Sequence, residues 1–223
     1  MKKTLRERTD AYRDELKAAA PAEVLRAFDD GATVLGRRRF GAIQVGERAP
    51  GFTLPDALGR EVSLDDLVAE GAVVLTFYRG SWCPYCNLQL TAYQEILREL
   101  EEAGARLVAV SPMTPDNSLS FAEKAGLCFT VLSDARAQVA ERYGLVFALE
   151  GSYRELHRDS GVDLPTLDGD DSWRLPTPAT YVIDGEGVVR FVHVDGDYRW
   201  RLEPDALLTA VRGVAANGRR VTP

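Results

Sequence analysis

The chain has 223 residues, 45% of them hydrophobic, which is enough to bury one substantial core. A formal net charge of −7 and a pI near 5.0 argue against a nucleic-acid or anionic-membrane partner. No apolar run has the length needed to cross a bilayer, the first residues lack the apolar core of a secretion signal, and three cysteines do not resemble the framework of a secreted disulfide protein. We therefore expect a cytoplasmic protein that binds no membrane.

The first 41 residues are expected to form a helical extension. Apolar residues recur at helical spacing over residues 4–36, and the pattern is interrupted near Pro21, which predicts one or two helices. Such helices would pack on the remainder of the chain or on a second subunit of a homodimer, or they would form a solvated arm. Residues 42–223 are expected to form a single redox domain.

The most informative stretch is a predicted strand followed by a predicted helix. Residues 73–78 are apolar, β-branched and aromatic, as is typical of a buried strand. Gly80 then interrupts the strand because glycine adopts backbone angles that other residues avoid. From Asn87 to Leu100, apolar residues recur at helical spacing, which predicts a helix.

Cys83 and Cys86 lie where the strand is followed by the helix. Unpaired backbone N–H groups and the positive end of the helix dipole stabilise a thiolate, the reactive form of cysteine, at such a position. The spacing also allows the two sulfurs to close a disulfide. Pro84 suits the first helical turn, and Trp82 and Tyr85 are placed to shield the sulfurs from water.

Two alternatives for this pair carry no redox chemistry. A structural zinc site needs further ligands at suitable spacing, and Cys128, His157 and His193 do not form such a pair. Two inert buried cysteines are the other alternative. We expect no metal and no organic cofactor, a core position for Cys128, and no catalytic role for either histidine.

The remainder of the chain alternates predicted strands and helices. Residues 105–111 are a second apolar strand, and its distance from the first indicates a right-handed parallel unit. Further elements are expected as a loop at 112–117, helices at 118–125, 135–143 and 202–214, and a hairpin of strands 179–183 and 188–194. Residues 146–175 are expected to be an irregular insertion that covers the active site, with Trp173 as its anchor.

The segment from Phe77 to Cys86, FYRGSWCPYC, resembles the active site of peroxiredoxin-like proteins of the alkyl hydroperoxide reductase and thiol-specific antioxidant family. The likeness extends over about residues 45–212, and residues 121–144 are similar to the bacterioferritin comigratory protein group. It implies an α/β, thioredoxin-like fold with a central mixed sheet flanked by helices. It also implies a thiol peroxidase.

Two alignments to relatives of this fold disagree on which sulfur attacks first. In the peroxiredoxin alignment the attacking cysteine is Cys86. In that alignment the family's motif proline falls near Arg79 and its threonine or serine falls on Cys83. The family's distant arginine falls near Pro178, so its positive charge is missing from that position. Arg79 is the candidate to supply that charge. In the thioredoxin alignment Cys83 attacks as the more exposed sulfur, and Cys86 resolves the mixed disulfide.

The thioredoxin-type resemblance also points to the Thr177–Pro178 bond. In that family the residue that opens this strand is a cis proline packed against the cysteine pair, so we expect a cis bond here. Pro178 would then shape the substrate groove, with Thr177 beside it.

Both alignments imply the same cycle. A thiolate attacks a peroxide or a disulfide, the second cysteine closes the Cys83–Cys86 disulfide, and a thioredoxin- or glutathione-type partner restores the dithiol. A redox sensor that uses the same pair without turnover is the non-enzymatic alternative.

Overall fold

A computed structural model describes residues 3–218, and a five-stranded mixed sheet lies at its centre. The strands in chain order are β1 (Thr53–Pro55), β2 (Glu61–Ser63), β3 (Ala72–Phe77), β4 (Ala105–Ser111), β5 (Thr130–Ser133), β6 (Val146–Ala148), β7 (Arg174–Pro176), β8 (Ala179–Ile183) and β9 (Val189–Val194). The central sheet has the order β5-β4-β3-β8-β9. Two short antiparallel pairs, β1-β2 and β6-β7, lie outside it.

Helices flank the sheet. They are α1 (Leu5–Ala19), α2 (Ala22–Arg37), α3 (Leu64–Ala69), α4 (Pro84–Gln94), α5 (Leu97–Glu102), α6 (Pro115–Ala125), α7 (Gln138–Arg142), α8 (Gly151–Asp159), α9 (Leu164–Asp168) and α10 (Pro204–Gly218), with a 3-10 turn at Ala135–Ala137. This arrangement confirms the predicted α/β fold with its central mixed sheet, flanking helices and N-terminal helices.

Strand β3 is central, as its composition predicts. It pairs in parallel with β4 and antiparallel with β8, and its residues 73–77 are all buried. A strand covered on both faces is largely apolar, which explains the valine, leucine and phenylalanine residues of β3. The carboxyl end of β3 therefore lies within the fold, where the cysteine-bearing loop begins.

The N-terminal helices pack on the cysteine-bearing half of the chain. The ring of Tyr12 on α1 meets that of Tyr85 on α4 edge to face, with centroids 5.4 Å apart. The ring of Phe28 on α2 is 5.2 Å from that of His157 on α8. Helix α2 approaches α8 closely at Gly31, where an added Cβ would lie 2.2 Å from the Tyr153 ring. The division into an extension of residues 1–41 and a domain of residues 42–223 stays a prediction.

Several predicted element bounds were wrong. The helix expected over residues 87–100 is two helices, because Ile96 adopts φ −111° and ψ 11° between them. Helix α6 begins at Pro115, inside the expected loop, because proline suits the first helical position and Thr114 caps the helix. Helix α10 begins at Pro204 rather than Leu202 and extends to Gly218, while the polar tail beyond it lies outside the described residues.

The insertion at residues 146–175 is largely ordered secondary structure rather than an irregular loop. It contains β6, α8, α9 and most of β7, and its strands pair with each other. Trp173 is buried in the apolar cluster that also holds both cysteines of the CxxC, in agreement with its expected role as an anchor. We call α1, α2 and residues 146–175 together the roof.

Candidate active site

The loop between β3 and α4 is shaped by one glycine and one asparagine. Gly80 has φ +134°, and a Cβ there would lie 2.6 Å from Nε1 of Trp82, so the loop requires glycine. Asn87 donates a hydrogen bond from Nδ2 to the carbonyl of Ser81 at 2.7 Å, which ties the loop to the helix. The cysteines are thereby fixed at the start of α4.

Cys83 caps α4 and Cys86 lies in its first turn. Pro84 is at the first helical position, as predicted, and the N–H of Cys86 donates to the carbonyl of Cys83 at 2.9 Å. Both thiols are free. Both are buried, with exposed fractions of 1% for Cys83 and 0% for Cys86, so Cys83 is not the markedly more exposed sulfur that the thioredoxin alignment implies. Helices α1 and α2 cover that side of the pair.

Two guanidinium groups approach the sulfurs. Arg79 Nη1 lies 4.0 Å from Cys83 Sγ, and Arg201 Nη2 lies 3.9 Å from Cys83 Sγ and 3.4 Å from Cys86 Sγ. The backbone N–H of Arg79 also donates to Cys86 Sγ at 3.4 Å. Within residues 3–218, no carboxylate forms an ion pair with either arginine. The natural counter-ion for these two charges is therefore a thiolate.

The two cysteine pKa values move in opposite directions. Burial raises the pKa of Cys83, but the hydrogen bond from Cys86 and the charges of Arg79 and Arg201 outweigh it and hold that pKa well below its ordinary value. Burial and the hydrogen bond to Cys83 raise the pKa of Cys86 well above its ordinary value. Both guanidinium groups approach Cys83 and only one approaches Cys86, so the site favours a Cys83 thiolate with Cys86 as its hydrogen-bond donor.

Arg79 is held in a buried aromatic setting. Its guanidinium carbon lies 4.0 Å from the ring centre of Tyr198 and 4.5 Å from that of Trp82, and its exposed fraction is 1%. Its Nη2 atom lies 3.0 Å from Nε2 of His157, whose Nδ1 faces the carbonyl of Tyr153 at 2.8 Å. This arrangement fits a neutral imidazole that donates from Nδ1 and accepts from Arg79.

His157 was not expected at the active site. Burial and the charge of Arg79 lower its pKa to about 4, so it is neutral at physiological pH. It lies in the inserted segment, which therefore does cover the site as expected. Its contact with Arg79 makes it a positioning residue, and no feature of the sequence pairs these two residues.

Arg201 was also missed. It precedes α10 and lies 115 residues along the chain from Cys86. Its Nε donates to the carbonyl of Tyr198 at 2.7 Å and its Nη1 donates to Oε1 of Gln89 at 2.8 Å, so its position is fixed on both sides. The peroxiredoxin alignment places the family's distant arginine near Pro178, where it finds none in this chain, and Arg201 brings a positive charge to the sulfurs from a different part of the chain.

The predicted cis proline was wrong, because no cis peptide bond occurs within residues 3–218. An X-Pro bond prefers trans by about 0.5–1 kcal/mol, and the neighbouring contacts are compatible with trans. The N–H of Thr177 donates to the carbonyl of Leu145 at 2.8 Å, and the hydroxyl of Thr177 donates to the backbone carbonyl of Asp195 at 2.9 Å. Thr177 thus holds a loop rather than a sulfur. Pro178 is buried and precedes β8, beside the end of β3.

Cys128 was predicted to lie in the core and is exposed. It follows the end of α6 and precedes β5, and its N–H donates to Oε1 of Gln94 at 2.7 Å. The apolar run that contains it is buried only from Val131 onward. His193 lies on β9, and burial lowers its pKa.

A cavity of about 340 Å³ opens onto Cys83. Cys83 lines it and Cys86 does not, and Trp82, Tyr85 and Arg79 belong to the same wall. The facing wall comes from the roof. We call residues 77–86 together with Arg201, which lies beside both sulfurs but does not itself line the cavity, the floor. A molecule in this cavity can reach Cys83 first.

Two features are absent from the part of the chain that the structure describes. No group of three or more histidine, cysteine or acidic side chains there is arranged to hold a metal ion. No helix there has the length and apolar character needed to span a membrane.

Comparisons with known proteins find related sequences and structures. The model of the AhpC/TSA family matches residues 45–192, more than half of the chain. Among curated relatives, the chloroplastic peroxiredoxin Q of Sedum lineare is 31% identical over 154 residues, covering 69% of this chain and 70% of that protein. Peroxiredoxin Bcp of Escherichia coli is 36% identical over 103 residues, covering 46% of this chain and 65% of that protein.

Chloroplastic peroxiredoxin Q of Populus jackii is 29% identical over 154 residues, covering 69% of this chain and 62% of that protein. The chain therefore spans less than two thirds of the length of the Populus and Escherichia coli proteins. The solved structure of peroxidoxin BcpB from Mycobacterium tuberculosis has a TM-score of 0.61 at 24% identity, covering 77% of this chain and 98% of that one. At that identity the likeness shows the fold alone.

The thioredoxin-like fold and the buried CxxC pair beside two arginines therefore define a thiol-dependent redox protein. The chain belongs to the AhpC/TSA family, the family of the peroxiredoxins.

Proposed function

We propose that this protein is a thiol peroxidase that reduces hydroperoxides through a dithiol–disulfide cycle of Cys83 and Cys86. The observation that carries the proposal is the Cys83 sulfur: it lines the cavity and lies within 4.0 Å of two guanidinium groups that have no carboxylate partner among the described residues. Membership of the AhpC/TSA family supports the same activity.

In the first step the Cys83 thiolate attacks the distal oxygen of a hydroperoxide ROOH. The O–O bond breaks, Cys83 becomes a sulfenic acid, and the alkoxide leaves and takes a proton to become ROH. Arg79, which lines the cavity, donates to the peroxide oxygens, and the charges of Arg79 and Arg201 beside the sulfur favour the thiolate that attacks.

In the second step Cys86 attacks the Cys83 sulfenic acid. The proton of Cys86 leaves with the hydroxyl group as water, and the Cys83–Cys86 disulfide forms. The sum is ROOH plus two thiols giving ROH, water and one disulfide. A thioredoxin- or glutathione-type partner then supplies two electrons to restore the dithiol. That reductant, a cytoplasmic location and a homodimer stay predictions.

This assignment makes Cys83, rather than the family-aligned Cys86, the attacking sulfur. The test is to oxidise reduced wild-type protein and its Cys83→Ser and Cys86→Ser variants with hydrogen peroxide, and to trap sulfenic acid for mass spectrometry. We expect a trapped sulfenic acid on Cys83 in the Cys86→Ser variant and an oxidation rate at least about a hundredfold lower in the Cys83→Ser variant. Cys128→Ser, which removes an exposed thiol, is the control and should react as the wild type does.

Sulfenic acid on Cys86 at the wild-type rate in the Cys83→Ser variant would contradict the order of attack.

A second activity, disulfide exchange of the thioredoxin type, is favoured by the position of Cys83 at the start of α4 with a lowered pKa. Little reaction with peroxide but rapid exchange with glutathione disulfide would establish that activity instead. Slow reaction with both, without turnover, would identify a sensor.

A further inference from the structure

Helices α1 and α2, which provide most of the roof residues that line the active-site cavity, lie outside the segment that matches the family model. That segment is 45–192, whereas α1 and α2 end at Arg37. The roof residues that face the cavity include Leu16, Val24, Leu25 and Phe28 from these helices and Val162 from the insertion. These side chains make the wall largely apolar, although Arg13, Lys17 and Asp29 also line the cavity, and the wall faces the sulfur that we assign as the nucleophile.

The cavity is much larger than hydrogen peroxide requires. Its volume is about 340 Å³, whereas one water molecule takes about 30 Å³ of liquid. Cavities of about 300–1,000 Å³ are typical of sites that enclose a small organic ligand. A substrate that fills this space must carry a tail of many atoms in addition to its peroxide oxygens.

Apart from Arg79, the basic side chains that line the cavity are paired with acidic partners. Arg13 lies 4.0 Å from Asp29, Lys17 lies 2.9 Å from Asp14, and Arg199 is paired with Asp197 at 2.6 Å. Away from Cys83 and Arg79, the lining therefore offers no excess of positive charge to attract an anionic tripeptide thiol or an acidic protein segment. Burial of an apolar tail against the apolar wall is favourable, at about 25 cal/mol per Å² removed from water.

We propose that α1 and α2 form a binding site for the apolar tail of an organic hydroperoxide and so set the substrate preference. The peroxide oxygens lie at Cys83 beside Arg79, and the tail packs against Leu16, Val24 and Phe28 of the roof. The product alcohol retains the tail and leaves by the same route. This inference rests on the proposed peroxidase activity of the same site and adds the segment of the chain that selects among hydroperoxide substrates.

A matched pair of substitutions on α2 tests the proposal. Val24 is half-buried and lines the cavity, whereas Val34 on the same helix is 68% exposed and does not line it. Val24→Trp fills the tail site, and Val34→Trp adds the same side chain on the outer face. The readout is the second-order rate constant for oxidation of the reduced protein by cumene hydroperoxide and by hydrogen peroxide, followed by rapid quenching and alkylation of free thiols.

We expect Val24→Trp to lower the rate constant for cumene hydroperoxide about tenfold or more while that for hydrogen peroxide changes less than about twofold. Val34→Trp should change neither. The wild-type protein should also react faster with cumene hydroperoxide than with tert-butyl hydroperoxide, whose tail fills less of the cavity.

Because a tryptophan at position 24 can disturb helix packing, Leu16→Ala on α1 provides a second variant. It removes tail contacts, and we expect the cumene-to-hydrogen-peroxide ratio to fall several-fold. An unchanged ratio in both Val24→Trp and Leu16→Ala would overturn this inference while leaving the peroxidase proposal intact. A wild-type protein that neither peroxide oxidises would overturn both.

Discussion

The floor and the roof of the cavity differ in whether their basic side chains have acidic partners. In the floor, Arg79 is 1% exposed and, with Arg201, has no carboxylate partner within the described part of the chain. In the roof and at its rim, basic side chains such as Arg13 and Lys17 have acidic partners, and the surface facing the cavity is largely apolar. The reactivity of Cys83 therefore depends on guanidinium charges that are free to stabilise its thiolate. Access of a substrate to Cys83 depends on the shape of the apolar surface of the roof.

The largest effect is expected in the floor. Arg79→Met retains a long side chain between the Trp82 and Tyr198 rings but removes a charge 4.0 Å from Cys83 Sγ. The pKa of Cys83 should rise, so a smaller fraction is thiolate at pH 7 and oxidation by hydrogen peroxide should slow by about 10- to 100-fold. The measurement is the oxidation rate against pH, and its midpoint should move to higher pH.

Arg190→Met is the control for this experiment, because Arg190 is a half-exposed arginine paired with Asp184 at 2.5 Å, and it does not line the cavity. If Arg79→Met keeps the pH midpoint of the control, the guanidinium does not stabilise the thiolate and the contrast between floor and roof fails.

A second prediction concerns a carboxylate in the roof. Asp168 is 8% exposed, and its Oδ1 has no hydrogen-bond partner among the described residues. Burial and the nearby Asp170 raise its pKa to about 7, whereas an aspartate in the unfolded chain titrates near 3.9. The folded state therefore binds the proton more tightly, and stability falls as pH rises from about 4 to about 7.

Asp168→Asn removes the cost in stability of ionising a buried carboxyl group. At pH 8 we expect the variant to be more stable than the wild type by about 3 kcal/mol, and at pH below about 4 the difference should vanish. Urea unfolding at a series of pH values measures it. Asp171→Asn, which removes an equal charge from an exposed position, is the control. A difference between Asp168→Asn and wild type that does not vary with pH would contradict the assignment.

The smallest effect tests the contact between α2 and α8. Gly31→Ala places a Cβ 2.2 Å from the Tyr153 ring, which packs against Phe28 and His157 and has little room to move. Overpacking costs about 1–3 kcal/mol, and the gain of up to about 1 kcal/mol from helix propensity only partly offsets it. We expect a net loss of about 1 kcal/mol in thermal unfolding.

Gly213→Ala is the matched variant, since Gly213 lies in α10 and a Cβ there meets nothing within 4 Å. It should stabilise the protein by about 0.5–1 kcal/mol. Equal effects of the two substitutions would show that α2 and α8 do not pack closely.

The local sequence pattern determined the scaffold of the active site. The apolar run that became β3, Gly80 and the CxxC at the start of a helix are all encoded within about a dozen neighbouring residues. Strand type and helix start depend on such short-range signals, namely side-chain periodicity, backbone freedom and N-terminal proline. The family resemblance rests on the same stretch, so the fold class and the cysteine pair could both be predicted.

The tertiary structure alone decided what surrounds the sulfurs. Arg201 and His157 reach the site from positions 115 and 78 residues away from their partners Cys86 and Arg79, and no local pattern marks them. The trans state of Pro178 and the exposure of Cys128 likewise depend on how distant segments pack. The pKa of a buried group and the lining of a cavity both depend on the residues that lie close in space, and most of those residues are distant in sequence.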